Sequence, residues 1–456
     1  MRKFAIVLFI FLIVGIFYFL FFPAPLMESI EPYPYQITEP LLLTQEEENE
    51  SYLKDFIEIR KNLLLEKTSF IEANIKEMKM KVFKEGSLIS EVPIYKRGNP
   101  LLWGGTSLGF YKILSKNPLD YSLSSGSYMP WSIRVYGKYY IHGDNYYPDG
   151  RIAESPITGG CIHLRNKDAK FIYDLAEVNM PVLVIDQGLE YDGYQYSHQT
   201  LTEFPELSAN SYLVADLDSG YVFTEKNSLE KLPAFSLTKL MTAIVLAENI
   251  DLRRSILVTS KMLESPRSTE GLVAGKKIQV FELFWPLLVE SSNDAAEVLS
   301  YFLDRERTIK LMNEKAEAIL MKDTEFVDPS GLSAQNISTA QDLFYLGRYI
   351  LSSRPMFLNI SRGEEVWTFD LPVRFKNLEN RNLFFKDPNF LGGKTGFIQG
   401  PYSTGLFIFR FSLEEGKERR IVIILSGSSS LDVKSGGIKN DTEKIISWLK
   451  ENYFDN

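Results

Sequence analysis

Cysteine occurs once in this 456-residue chain and histidine three times. A single cysteine excludes an intramolecular disulfide, so cysteine usage does not report the redox compartment. An excess of basic residues is also missing. Lys and Arg number 50 against 59 Asp and Glu, a net charge of −9, which argues against nucleic acid as a partner. What is present is 45% apolar residues, ample for packed cores. The length is about three times that of a typical domain, so two or three domains are expected.

Residues 4–22, FAIVLFIFLIVGIFYFLFF, are apolar apart from Gly15 and Tyr18. At about 1.5 Å per residue this run crosses most of a ~30 Å hydrocarbon core. Arg2 and Lys3 precede it, and the next 25 residues carry only acidic charge. That asymmetry places the bulk of the chain outside the cytoplasm. No small-x-small cleavage site follows. The run therefore reads as an uncleaved single-pass anchor in the cell membrane, in preference to a removed signal peptide or a buried core helix. The transmembrane segment is expected over 1–22, with a proline-rich spacer and a stalk helix over 23–69. Thr44 is the expected cap of that helix.

Strand-like alternation begins at MKMKVF, turns at Glu85–Gly86 and continues through SLISEVPIY, which reads as a hairpin. Short strands run on to about residue 142. A helix is expected at NKDAKFIYDLAEV with Asn166 as its cap, then a strand at PVLVID. Residues 70–186 thus read as one mainly-β unit, and 187–207 as a linker. Residues 208–456 read as a second unit. Strands at SYLVADLDSGYVF and at GLFIFRFSLEEGKERRIVIILSGS flank several helices, and TEKIISWLKENYF closes the chain as a helix. Strands at both ends with helices between predict an α/β sandwich whose sheet joins terminal segments. The two units share no evident repeat.

The lone Cys161 lies in SPITGGCIHL, 19 residues after His142–Gly143. A free thiol is mostly protonated at neutral pH, so a nucleophilic role needs a base, and histidine suits it. His142 ends the strand GKYYIHG, and His163 lies two residues past the sulfur. His198 falls in the linker. Gly159 and Gly160 would leave backbone N–H groups free to face an oxyanion. A buried structural thiol is the bland alternative. Zinc on His142, Cys161 and His163 is another, but no fourth Cys or His is nearby to complete a structural site.

GTSLGFYKI, YMPWSIRVYGKYYIHG, SPITGGCIHL and PVLVI together resemble the catalytic domain of L,D-transpeptidases. The resemblance covers residues 70–186. It implies Cys161 as nucleophile, His142 as base, and the Gly143 carbonyl orienting the imidazole, with Thr158 and Gly160 completing the motif. This chain has Gly159 where many members have histidine, and His163 where Arg or Asn is usual. The second difference bears on how the substrate's carboxylate or amide is anchored.

PAFSLTKLMTAIVLAENI carries Ser236 and Lys239, which share one face of a helix. Pro233 suits the helix start. Leu237, Leu240, Met241, Ile244 and Val245 form the stripe that would bury it. Ser-x-x-Lys alone is weak, since Ser51–Lys54 and Ser228–Lys231 also satisfy it. Context separates them. Ser291-x-Asn293 follows 55 residues after Ser236, and Lys394-Thr395-Gly396 comes before the last strand hairpin. The three motifs in this order match active-serine penicillin-recognising enzymes.

SLTKLMTA, SSNDAA, FVDPSGLS and GGKTGF make residues 208–450 resemble D-alanyl-D-alanine carboxypeptidases. The resemblance implies Ser236 as the acylated nucleophile and Lys239 as its base. Ser291 and Asn293 would relay protons and position substrate, and Lys394 and Thr395 would hold its terminal carboxylate. The N–H groups of Ser236 and Phe397, beside Gly396, would form the oxyanion hole. A class A β-lactamase is the alternative, but no Glu-x-x-Leu-Asn segment is apparent. Peptidoglycan stem peptides are the implied substrates and β-lactams the implied inhibitors, with no cofactor. A D,D-endopeptidase, or a cell-wall scaffold with one decayed site, are the competing readings.

Overall fold

The computed structural model describes residues 54–456 apart from 155–157, 187–193, 195, 197–200, 266–268, 376, 398–401, 414–415, 430–436 and 455–456. The expected anchor, the spacer, Thr44 and His198 lie outside the described residues. Among the described residues no helix is long and apolar enough to cross a membrane.

Helix α1 (Lys54–Leu65) leads into strand β1 (Phe70–Asn74), which is buried at every position although it carries Glu72 and Asn74. Arg60 on α1 explains the first: its Nε donates to Glu72 at 2.6 Å. The Asn74 side chain accepts the Lys76 and Glu77 amides and so turns the chain. Strands β2 (Lys79–Lys84) and β3 (Ser87–Pro93) form the expected hairpin. With β4 (Gly109–Lys112) and β9 (Pro181–Ile185) they make a five-stranded sheet, ordered β3-β2-β1-β9-β4. A second sheet is ordered β5-β6-β7-β8, from β5 (Ser115–Ser122), β6 (Ser127–Tyr136), β7 (Tyr139–His142) and β8 (Ile162–His163). β7 and β8 run parallel, with Ile141 opposite Ile162 and His142 opposite His163. Helix α2 (Asn166–Leu175) begins at Asn166, so this residue is not its cap. The Asn166 side chain instead accepts the Asp144 amide at 2.9 Å.

The second unit is built on an antiparallel sheet ordered β11-β10-β14-β13-β12. Its strands are β10 (Ser211–Asp216), β11 (Val222–Lys226), β12 (Phe390–Phe397), β13 (Tyr402–Ser412) and β14 (Glu418–Ser429). β10 pairs with β14, from Ser211 opposite Ser426 to Asp216 opposite Ile421. The sheet therefore joins the two ends of the unit. Successive side chains alternate between faces. Leu406, Ile408, Val422 and Ile424 join a core shared with helix α7 (Ala340–Ser353). Phe407, Phe409, Ile421 and Ile423 pack with helix α9 (Ile438–Leu449) on the other side. Both faces are covered, which is why these strands read as continuous apolar runs.

The larger core does not stop between the units. Trp103, Tyr111 and Tyr136 of the first share one buried cluster with Phe284, Tyr349 and Phe357 of the second.

Candidate active sites

The serine centre sits where three elements meet. A single 3₁₀ turn, Phe235–Leu237, runs into helix α3 (Thr238–Asn249). Pro233 is not the helix start; it pairs with Ile337 in a short bridge of strands. The helix is buried continuously from Thr238 to Glu248, not along one stripe alone. Ser236 itself keeps partial exposure. Lys239 is fully buried. Its Nζ lies 3.1 Å from Ser236 Oγ, 2.8 Å from Asn293 Oδ1 and 2.5 Å from the Ser330 carbonyl oxygen. The last two can only accept. A neutral amine would spend two protons on them and turn its lone pair to the serine hydroxyl.

Asn293 opens helix α5 (Asn293–Ser300), and Ser292 caps that helix by accepting the Ala295 amide at 3.1 Å. The cap fixes where Asn293 points. Helix α4 (Phe284–Leu288) precedes this turn, in which Ser291 adopts φ 60°. Lys394-Thr395-Gly396 lies within β12, ahead of the expected hairpin in the chain and paired with its first strand. Gly396 is required there: a Cβ would come 2.4 Å from Thr404 Oγ1 and 3.2 Å from the Ser236 amide nitrogen. Phe397 follows as the last residue of the strand. Lys394 is buried, with Nζ donating to the Thr395 carbonyl at 2.8 Å. The buried Thr395 hydroxyl has no hydrogen-bond partner among the described residues.

Ser330 was missed as a site residue although FVDPSGLS was visible in the sequence. Its backbone carbonyl does the work, which no side-chain motif reveals. The turn is held by Asp328, whose carboxylate accepts the amides of Ser330 and Gly331, both at 2.7 Å, and Ser333 at 2.8 Å, and the Asn336 side chain at 2.6 Å. Burial opposes its charge, but these bonds outweigh burial and hold the carboxyl below its ordinary range.

The cysteine centre is assembled differently. Cys161 immediately precedes β8, so the β7–β8 register sets it opposite Tyr140, two residues before His142 on the neighbouring strand. Partners across strands share a face, so His142 and His163 lie on the same face as Cys161, with His142 diagonal to it. The His142 ring is 1% exposed, and its Nδ1 stands 2.8 Å from the Gly143 carbonyl. That carbonyl can only accept, which leaves Nε2 as the basic nitrogen. Cys161 keeps partial exposure as a residue, but its thiol points inward at the Lys138 carbonyl, 3.7 Å away; no hydrogen bond joins it to His142 among the described residues. Burial pushes the thiol up to about 11, against the Tyr140 backbone bond and the Lys138 charge. Burial lowers His142 to about 4.

One expectation changes here. The Gly160 amide is not free for an oxyanion, because it donates to Thr158 Oγ1 at 3.2 Å. Thr158 Oγ1 in turn donates to the Cys161 carbonyl at 3.0 Å and ties the loop together. His163 stands where the resembled family usually has Arg or Asn. Its ring centroid is 4.1 Å from that of His142, and burial, with repulsion from His142 and Lys96, holds it down to about 2. It is a neutral imidazole. Among the described residues no group of three or more His, Cys, Asp or Glu is placed to hold a metal.

Comparison with known proteins yields two family matches. Residues 198–404 match the D-alanyl-D-alanine carboxypeptidase family. Residues 68–184 match the L,D-transpeptidase catalytic domain. D-alanyl-D-alanine carboxypeptidase DacD of Escherichia coli strain K12 is 29% identical over 288 residues, covering 60% of this chain and 70% of that protein. The D-alanyl-D-alanine endopeptidase of Haemophilus influenzae is 32% identical over 246 residues, covering 52% of this chain and 82% of its own. The crystal structure of a D-alanyl-D-alanine carboxypeptidase from Mycobacterium tuberculosis H37Rv aligns with TM-score 0.48 and 25% identity, over 56% of this chain and 95% of that one. With the Ser236–Lys239–Asn293 contacts in place, the chain belongs to the D-alanyl-D-alanine carboxypeptidase family and carries, ahead of that serine enzyme domain, an L,D-transpeptidase domain that includes Cys161.

Proposed function

We propose that the chain is a bifunctional peptidoglycan enzyme, held at the outer face of the cell membrane by residues 4–22. The observation that carries the reading is Lys239, whose amine meets Ser236, Asn293 and the Ser330 carbonyl at once, on a chain that also holds Cys161 and His142 on one sheet face.

At the serine centre, Ser236 Oγ attacks the carbonyl of the penultimate D-alanine while Lys239 takes its proton. Collapse expels the terminal D-alanine, whose amine receives a proton, and leaves an ester on Ser236. Water then hydrolyses the ester and releases a tetrapeptide stem. Ser291 and Asn293 relay protons and position the stem. Lys394 and the unpartnered Thr395 hydroxyl receive its carboxylate. The amides of Ser236 and Phe397 receive the oxyanion.

At the cysteine centre, the tetrapeptide is the acyl donor. The thiol leaves the Lys138 carbonyl, gives its proton to His142 Nε2 and attacks the carbonyl of the stem's third residue. D-alanine departs and a thioester remains. The amine of a second stem then displaces the sulfur, which regains a proton, and a 3→3 cross-link results. The serine centre would thus make the donor that the cysteine centre uses.

A second reading of the serine centre rests on the Haemophilus influenzae endopeptidase, since cleaving a cross-link uses the same acyl-enzyme chemistry. Incubating the purified chain with a pentapeptide stem and with a 4→3 cross-linked dimer, and resolving products by mass, tests both. Loss of D-alanine from the pentapeptide supports the carboxypeptidase. Dimer cleavage without trimming supports the endopeptidase. Neither product sinks the serine assignment.

A further inference from the structure

We infer that the serine unit is a structural part of the cysteine centre, with Arg354 and Tyr139 as positioning residues for the Thr158–Cys161 loop. The inference rests on the reading of Cys161 as nucleophile.

The connection can be followed atom by atom. Trp103 of the cysteine unit is 5% exposed and inserts among aromatics of the serine unit. Its ring stacks on Phe284 with centroids 5.5 Å apart and meets Phe357 at 6.1 Å, and its Nε1 donates to the Trp367 carbonyl at 2.6 Å. The next residues, Gly104 and Gly105, pass between the nucleophile loop and the serine unit. On one side the backbone of Gly104 is so close that a Cβ would lie 2.7 Å from the Thr158 carbonyl oxygen. On the other, the Gly105 carbonyl accepts Arg354 Nη1 at 2.6 Å. Arg354 directly follows α7 and is fully buried.

The second arm of the same guanidinium donates to Tyr139 Oη at 2.6 Å. The Tyr139 ring is the floor of the nucleophile loop. Gly160, at φ 112°, lies so close that a Cβ there would fall 2.0 Å from the ring. One arginine of the serine unit therefore holds both surfaces that confine the loop. A planar fork with fixed donors suits two partners at a set separation better than a lysine would.

Arg354 is itself fixed. Its Nη2 lies 2.7 Å from Glu248, which also pairs with Lys315 at 3.1 Å and accepts from the Tyr349 hydroxyl. Glu248, Lys315 and Arg354 are all fully buried. A buried ion cluster of this kind is poor at adding stability, because desolvation offsets the attraction. Its hydrogen bonds do fix geometry. Glu248 lies on the last turn of α3, the helix whose first turn bears Lys239. Its carbonyl accepts the Lys138 amide at 3.3 Å, and the Lys138 carbonyl is the group the Cys161 thiol faces. The two centres are thus built on opposite ends of one buried helix.

The test uses Tyr139→Phe in the full chain, which keeps the ring and removes only the hydroxyl that Arg354 holds, with Arg354→Lys as a second variant. Four quantities are measured: kcat and KM for transpeptidation of a tetrapeptide stem, the rate of Cys161 alkylation by iodoacetamide at one fixed pH, and the rate of Ser236 acylation by a fluorescent penicillin. Loosening the loop misplaces the nucleophile, so both variants are expected to lower kcat on the order of tenfold to a hundredfold with KM within about twofold. The less confined thiol is expected to alkylate several-fold faster, while Ser236 acylation stays within about twofold of wild type. Wild-type kcat or wild-type alkylation in Tyr139→Phe overturns the inference, as does a parallel loss at Ser236 that marks general destabilisation. Cys161→Ala separates this from the underlying reading: transpeptidation that survives Cys161→Ala removes the nucleophile assignment itself.

Discussion

The serine centre holds its proposed base against its proposed nucleophile, Lys239 Nζ lying 3.1 Å from Ser236 Oγ, whereas the cysteine centre keeps the corresponding pair apart, with the thiol facing the Lys138 carbonyl and His142 facing Gly143. The scaffolds account for the contrast. Serine lies on the 3₁₀ turn that runs directly into the buried helix bearing lysine, so three residues of continuous helical backbone bring them together. Cysteine and histidine sit diagonally on neighbouring strands, where side-chain conformation decides whether they meet. Burial then drives the thiol up to about 11 and the imidazole down to about 4. Both shifts disfavour a thiolate–imidazolium pair at rest. On the proposed roles, the serine centre is ready before substrate arrives, and the cysteine centre transfers its proton as substrate is attacked.

The sharpest way to break this comparison is Lys239→Ala. Removing a base in contact should slow acylation of Ser236 by a fluorescent penicillin by roughly 10²–10⁴-fold, with Cys161 alkylation within about twofold of wild type. A loss below tenfold would mean that the contact is not the working one.

The cysteine centre is sharpened by pH. With the thiol near 11, iodoacetamide alkylation of Cys161 should rise about tenfold per pH unit between roughly pH 7 and 9, without a plateau. A plateau at or below pH 7 would show a resting thiolate.

Acid distinguishes the centres as well. His142 and His163 are held near 4 and 2, below their ordinary 6.5. Their neutral forms are favoured by folding, so the contribution is fully present above about 6.5 and is lost progressively as pH falls from there toward 4 for His142 and toward 2 for His163. Denaturant titrations near pH 7.5 and 4.5 should differ by roughly 2–3 kcal/mol for each imidazole. His142→Gln and His163→Gln should each shrink that difference; no change would place the acid sensitivity elsewhere.

The smallest effect is expected at the second Ser-x-x-Lys. Lys231 forms a solvent-exposed pair with Asp323 at 2.8 Å. Lys231→Ala should leave Ser236 acylation and the unfolding midpoint unchanged, since exposed pairs add little. A clear loss of acylation would blur the distinction between the two motifs.

Much of this was legible. The hairpin at 79–93, the terminal strands β10, β13 and β14 and the closing helix follow from alternation, turns and caps. The Ser236–Lys239 pairing follows from helical spacing. Strand β1 was hidden because Glu72 and Asn74 break its apolar pattern, and their partners, Arg60 and the backbone of the following turn, are found only in three dimensions. The free Gly160 amide was misjudged because Thr158 Oγ1 folds back onto it. Glu248, Lys315 and Arg354 were invisible for a different reason. Charged residues on helices read as solvated surface, and only the meeting of two units buries all three.

The most direct measurement is a time course of purified chain on a pentapeptide stem, with Ser236→Ala and Cys161→Ala run beside wild type and products resolved by mass. Wild type should pass from pentapeptide through tetrapeptide to 3→3 dimer. Ser236→Ala should stall at pentapeptide, and Cys161→Ala should accumulate tetrapeptide alone. Trimming by Ser236→Ala, or dimer formation by Cys161→Ala, would contradict two separate nucleophiles in one chain.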